Sequence, residues 1–137
     1  MNRRDGSNDY VIRVLGDPAE LDAGEWDALH DAQPSATPFT RHAYLNALTA
    51  SGSATEDTGW QPVFLTVHRD GGLVGACPLY VKSHSYGEYV FDWAWADAYH
   101  RHGLTYYPKL LSAVPFTPVP GPRLMARDTG ARLALLQ

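Results

Sequence analysis

Glu88 and Asp92 are carboxylates four residues apart, in a stretch that continues to Tyr107, Lys109 and Arg123. On a helix that spacing puts both on one face, and aromatic neighbours raise carboxylate pKa values. The pair therefore suits the positioning of an attacking amine and the removal of its proton. Asp92 and Tyr107 are the catalytic candidates, the tyrosine as a substrate contact or as proton donor to a leaving thiolate. Lys109, Glu88 and His84 are the substrate-binding candidates, with His84 able to act as a base near neutrality. Lys109 and Arg123 flank a proline-rich run and could hold a phosphate or carboxylate, arginine through its bidentate fork.

Each candidate also has a plainer role. Glu88 closes the pattern Ser85-Tyr86-Gly87-Glu88, a capping box in which it would satisfy a helix terminus. Tyr107 could bury its ring and satisfy its hydroxyl locally, and Lys109, Arg123 and His84 could be solvated surface groups. His100 and His102, two apart on a helix, point away from each other, and with no second ligand pair at zinc spacing no metal site is expected. Cys77, between Ala76 and Pro78 in a strand pattern, reads as a core thiol. No G-x-S-x-G, H-E-x-x-H or Walker pattern is present, so hydrolase, metalloprotease and P-loop chemistry have no support.

The elements that must carry these residues can be read from the spacing. Tyr10–Leu15 is apolar and β-branched enough for a strand, and Asp22 with Glu25 starts a short helix whose inward face is Trp26 and Leu29. Thr40 is placed as N-cap of a second helix over Arg41–Ala50. Trp60–His68 and Leu73–Lys82 alternate as strands around Arg69-Asp70-Gly71-Gly72, a hairpin turn. The capping box predicts a helix to about His102, apolar nearly all round and hence mostly buried, closed by Gly103. Tyr106–Phe116 is a further strand interrupted by prolines, and Asp128 or Thr129 starts a last helix over Gly130–Gln137. The order is β-α-α-β-β-α-β-α, an α/β class.

With 137 residues, a net charge of −4 and a pI near 5.8, the chain is one domain or part of one, and no charge pattern favours DNA. A single cysteine requires no oxidising compartment, the polar N-terminus is no secretory signal, and no run reaches the length of a membrane span, so a cytoplasmic protein is expected. His84 to Arg123 holds nine of the 16 aromatic residues and five of the ten prolines.

The runs HSYGEYVFDWAWADAYHRHG and YYPKLLSAVPFTPVPGPRLM resemble the FemAB-like branch of the GNAT acyltransferases, the peptidoglycan biosynthesis or recognition proteins. The resemblance is close over His84 to Arg123 and looser in the N-terminal third. It implies a GNAT-like mixed sheet flanked by helices, of which residues 1–137 would be the N-terminal part, residues 1–9 being a disordered tail. It also implies transfer of an acyl or aminoacyl group from acyl-CoA or an aminoacyl-tRNA to a primary amine. Acyl-CoA would then be a co-substrate, with no prosthetic group. On that mapping Gly121, Arg123 and Gly130 would meet the donor's phosphates. Arg127 and Gly130 follow the R/Q-x-x-G-x-G/A signature, while position 132 is Arg. The other readings are a GNAT-shaped module that binds a peptide or glycan without chemistry, and an inactive fragment that self-associates through an exposed strand edge.

Overall fold

Two prolines decide how the central ribbon of this chain is divided. In the computed structural model, which describes residues 10–86, 88, 93–117, 119 and 121–136, Trp60–Arg69 and Gly72–Lys82 run antiparallel around Asp70-Gly71. Both turn residues have positive φ, 52° and 80°, as a two-residue hairpin turn requires. Pro62 and Pro78 have no N–H to give the ladder, so the ribbon breaks there into β2 (Trp60–Pro62) and β3 (Phe64–Arg69) on one side, and β4 (Gly72–Cys77) and β5 (Tyr80–Lys82) on the other. Each half then recruits its own neighbours.

β3 and β4 are joined by β1 (Val11–Leu15) and β7 (Met125–Ala126) in a four-stranded sheet of order β1-β3-β4-β7. β2 and β5 are joined by β6 (Lys109–Leu111) in a three-stranded sheet of order β2-β5-β6. Every pairing among the described residues is antiparallel. The α/β class holds, but where one sheet was expected there are two. The single strand expected over Tyr106–Phe116 is cut to Lys109–Leu111, with Pro108 before it and Pro115 beyond it.

Helices α1 (Ala23–Asp31) and α2 (His42–Ala50) cover one face of the larger sheet, and α4 (Thr129–Leu135) covers the other. The sequence alternation explains this: Phe64 and Ala76 face Trp26, Leu29 and Leu45, while Leu65, Val67 and Cys77 face Ala134 and Leu135. Asp22 caps α1 through Glu25 N–H (2.9 Å), as its spacing predicts. Thr40 does not cap α2. Its hydroxyl sits 2.6 Å from Nε2 of buried His30, whose Nδ1 is 2.9 Å from Asp31, and Asp27 of α1 accepts from His42 N–H instead. A buried imidazole needs a partner more than an exposed helix end does. β1 lies at the sheet edge with Val11, Ile12 and Val14 exposed.

The aromatic helix differs most from expectation. Among the described residues α3 spans Trp93–Arg101, and none of these is buried; Trp93 and Trp95 are each 66% exposed. The large core seats are already filled by Trp26, Trp60, Phe64 and Tyr80 from earlier in the chain, so the helix's aromatic content is not core packing. No helix among the described residues is long and apolar enough to cross a membrane.

Gly59 ties β2 to the segment that follows β5. It is buried with φ +78°, and a β-carbon there would overlap the His84 ring and lie 2.8 Å from Ser83 Oγ. Gly59→Ala is expected to lower stability by about 1–3 kcal/mol, seen as a fall in urea midpoint at unchanged slope. Gly52→Ala, with φ +79° but open space around it, should cost less.

Candidate functional site

The inner face of the small sheet carries a rung of unusual composition. Trp60 pairs with Lys82 and Lys82 pairs with Lys109, so two lysines stand opposite each other on adjacent strands. Like charges in that position repel. Alternation turns Tyr80 and Lys82 to the same side, with Trp60 and Pro62 across from them, while Gln61 and Leu110 face out. The Lys82 side chain is 0% exposed; Lys109 and Glu88 are 16% and 11% exposed, so the cluster meets solvent at its outer two members.

Glu88 holds the rung together. Its Oε1 accepts from Lys109 Nζ at 2.8 Å, while its Oε2 is 4.0 Å from Lys82 Nζ and has no hydrogen-bond partner. Lys82 donates to the Tyr86 carbonyl at 2.7 Å and lies 3.9 Å from the centre of the Trp60 ring, and Trp60 Nε1 donates to the same carbonyl at 3.1 Å. Burial pushes the Lys82 ammonium down to about 8, with Glu88 pulling it up and Lys109 pushing it further down. Tyr80 stacks edge-on against Trp60 at 5.2 Å, and burial holds its hydroxyl protonated far above the ordinary tyrosine range. The Tyr80 and Tyr107 hydroxyls are both buried without a hydrogen-bond partner. Lys109 also lies 5.5 and 5.8 Å from the rings of Tyr106 and Tyr107, which stack edge-on at 4.9 Å and continue to Tyr99 of α3 at 5.1 Å. The Tyr107–Pro108 peptide is cis.

Such an arrangement can hold an amine against Glu88 Oε2, offer hydroxyl donors, and hold a proton on a lysine poised near neutrality. A family model described as FemAB-like, peptidoglycan biosynthesis/recognition, matches residues 17–137. The chain belongs to this FemAB-like family. Searches of curated proteins and of solved structures gave no match.

Of the residues singled out in this FemAB-like sequence, the structure brings Glu88, Tyr107 and Lys109 together, with His84 at the margin. His84 Nδ1 accepts from Tyr86 N–H at 3.1 Å, and its ring meets that of Tyr86 at 4.9 Å. The capping-box reading of Glu88 is corrected: Glu88 stands outside any helix, its N–H on Ser85 O at 3.2 Å and its carboxylate on Lys109 Nζ at 2.8 Å, while residues 89–92 of the expected helix lie outside the described residues. Neutralising buried lysines outweighs the roughly 1 kcal/mol of a cap. Asp92 lies outside the described residues.

Gly121, Arg123 and Gly130 sit in three different settings. A β-carbon on Gly121 would press on Thr40 at 3.1 Å, Arg123 donates to Ser112 O and Gly121 O at 2.8 and 2.9 Å, and Gly130 packs beneath the Tyr10 hydroxyl. The first turn of the seven-residue α4 is occupied by Asp128, which accepts from Ala131 N–H at 2.8 Å and from Tyr10 at 3.2 Å. The Ala131 N–H foremost holds that carboxyl below its usual range. Cys77 is buried, and burial raises its thiol pKa.

Lys82 and Tyr80 are the site members that the sequence candidates miss. Their signal is the two-residue period: a lysine in phase with Tyr80 at the end of a strand faces inward with it.

Proposed function

We propose that the chain is the acceptor-side part of a GNAT-type, FemAB-like transferase. It would move an acyl or aminoacyl group from acyl-CoA or an aminoacyl-tRNA to a primary amine of a peptidoglycan precursor. Family membership supports the peptidoglycan context. The observation that carries the chemistry is Glu88, a nearly buried carboxylate with one oxygen on Lys109 and the other without a hydrogen-bond partner. An amine arrives as an ammonium, passes a proton to Glu88 Oε2 and attacks the donor carbonyl; the new C–N bond forms as the C–S or C–O bond to the carrier breaks, and the carrier leaves with that bond's electron pair and takes up the second amine proton. Glu88 Oε2 accepts an N–H of that amine, and Tyr107 offers its hydroxyl to the substrate.

The test is transfer of labelled acyl or aminoacyl groups from either donor to muropeptide precursors by the full chain. Glu88→Gln is expected to lower kcat about 10²–10³-fold with a smaller change in KM, and Tyr107→Phe about tenfold. Precursor binding without transfer from either donor would favour the binding module instead. Transfer unaffected by Glu88→Gln would refute this assignment of the acceptor site.

A further inference from the structure

Lys82 is the group that this mechanism leaves unused, and its surroundings are unusual for a buried cation. Its side chain is 0% exposed, yet among the described residues its ammonium makes one hydrogen bond, to the Tyr86 carbonyl, and the carboxylate beside it, Glu88, lies at 4.0 Å. The groups facing it among the described residues are the Trp60 ring from β2, Lys109 from β6, and the Tyr86 carbonyl and Glu88 from the segment after β5. None of these is an anion within hydrogen-bond distance. An ammonium carries three donors, and a buried charge is held at a cost unless an opposite charge meets it. On the Lys109 side of the rung, Tyr107 keeps a buried hydroxyl without a hydrogen-bond partner, its ring 5.8 Å from the Lys109 ammonium.

We propose that Lys82 is the charged centre of an oxyanion site, with the Tyr107 hydroxyl as second donor, and that it takes a carboxylate or phosphate group carried by the acceptor. The proposal rests on the acyl-transfer reading only in calling the anion part of an acceptor. The binding itself needs no donor and no turnover. Glu88 would then hold the acceptor's amine while Lys82 holds its anion, so acceptors lacking the anion would bind poorly. Because only the ammonium form attracts an anion, binding is coupled to the proton on Lys82: an anion raises the lysine's pKa, and deprotonation releases the anion.

The experiment uses the full chain with ¹³C-labelled lysine, titrated by NMR from pH 6 to pH 11 in chloride, inorganic phosphate or acetate at matched ionic strength. The expected result is a Lys82 midpoint near 8 in chloride that moves upward in at least one of the two oxyanions, with oxyanion affinity falling about tenfold per pH unit above that midpoint. A shift in phosphate alone assigns a phosphate group of the acceptor, and a shift in acetate alone assigns a carboxylate. Tyr107→Phe, which keeps every charge, should weaken binding about 5–10-fold. Lys82→Met should abolish it. Equal midpoints in all three salts, or oxyanion binding that survives Lys82→Met, would overturn the proposal even if acyl transfer were demonstrated. Conversely, a shift without any acyl transfer would leave it standing.

Discussion

Glu88→Ala is expected to cost about 2–4 kcal/mol of folding stability, more than a side chain 11% exposed and outside the apolar core would ordinarily cost. The reason is the rung. Lys82 and Lys109 occupy paired positions on β5 and β6, and Glu88 is the carboxylate that both approach, at 4.0 and 2.8 Å. Without it, the two cations lose the carboxylate that bridges them in a water-poor setting, which favours shedding a proton from Lys82 or loosening β6. Partial exposure of Lys109 and Glu88 places the expected figure at the lower side of the range for broken buried pairs. Urea melts of a double-mutant cycle with Lys109→Met separate the terms: once one lysine is gone, Glu88→Ala should cost at least 1 kcal/mol less than in the wild type. Equal costs in both backgrounds would mean that Glu88 and Lys109 are not coupled and that the ion pair between them contributes nothing to stability.

The second large effect has the opposite sign. Lys82→Met should raise stability at pH 7 by about 1–3 kcal/mol while abolishing oxyanion binding, because the native state holds an ammonium pushed down to about 8 from 10.5. Methionine keeps the length of the stem against Trp60, and the Tyr86 carbonyl still accepts from Trp60 Nε1 at 3.1 Å. The pH dependence follows from where the proton sits. Below pH 8 both folded and unfolded chains carry it, and the full penalty is present. Between about 8 and 10.5 the unfolded chain keeps the proton and the native one has lost it, so stability rises with pH. The wild type should therefore gain on Lys82→Met by up to about 1.4 kcal/mol per pH unit in that window, and the two should converge near pH 10.5. Tyr80 acts the other way above pH 10 and the buried Cys77 thiol above about pH 9, and both cancel in the difference between wild type and Lys82→Met, which isolates the lysine. A variant less stable than wild type at pH 7 would show that the cation–π and hydrogen-bond contacts outweigh the cost of burying the charge.

A residue kept charged inside a small sheet at the expense of stability is more economically explained by function than by folding.

Periodicity and turn chemistry by themselves determined much of this protein. Local rules sufficed for Asp22 capping α1, for the Asp70-Gly71 hairpin with its positive φ angles, for the inward Trp26 and Leu29, and for Asp128 capping α4. The runs from His84 to Arg123 were enough for the family. Three outcomes were decided only by tertiary structure. Pro62 and Pro78 read as local interruptions, but their effect is to split one ribbon between two sheets, which depends on which strands arrive to pair with each half. The aromatic richness of α3 reads as core, but the core seats go to residues distant in sequence, so α3 stays exposed. Glu88 reads as a helix cap because Ser85 is three residues before it. Its actual partner is 21 residues away, and only the register of β5 with β6 puts two lysines where a carboxylate is worth more than a cap.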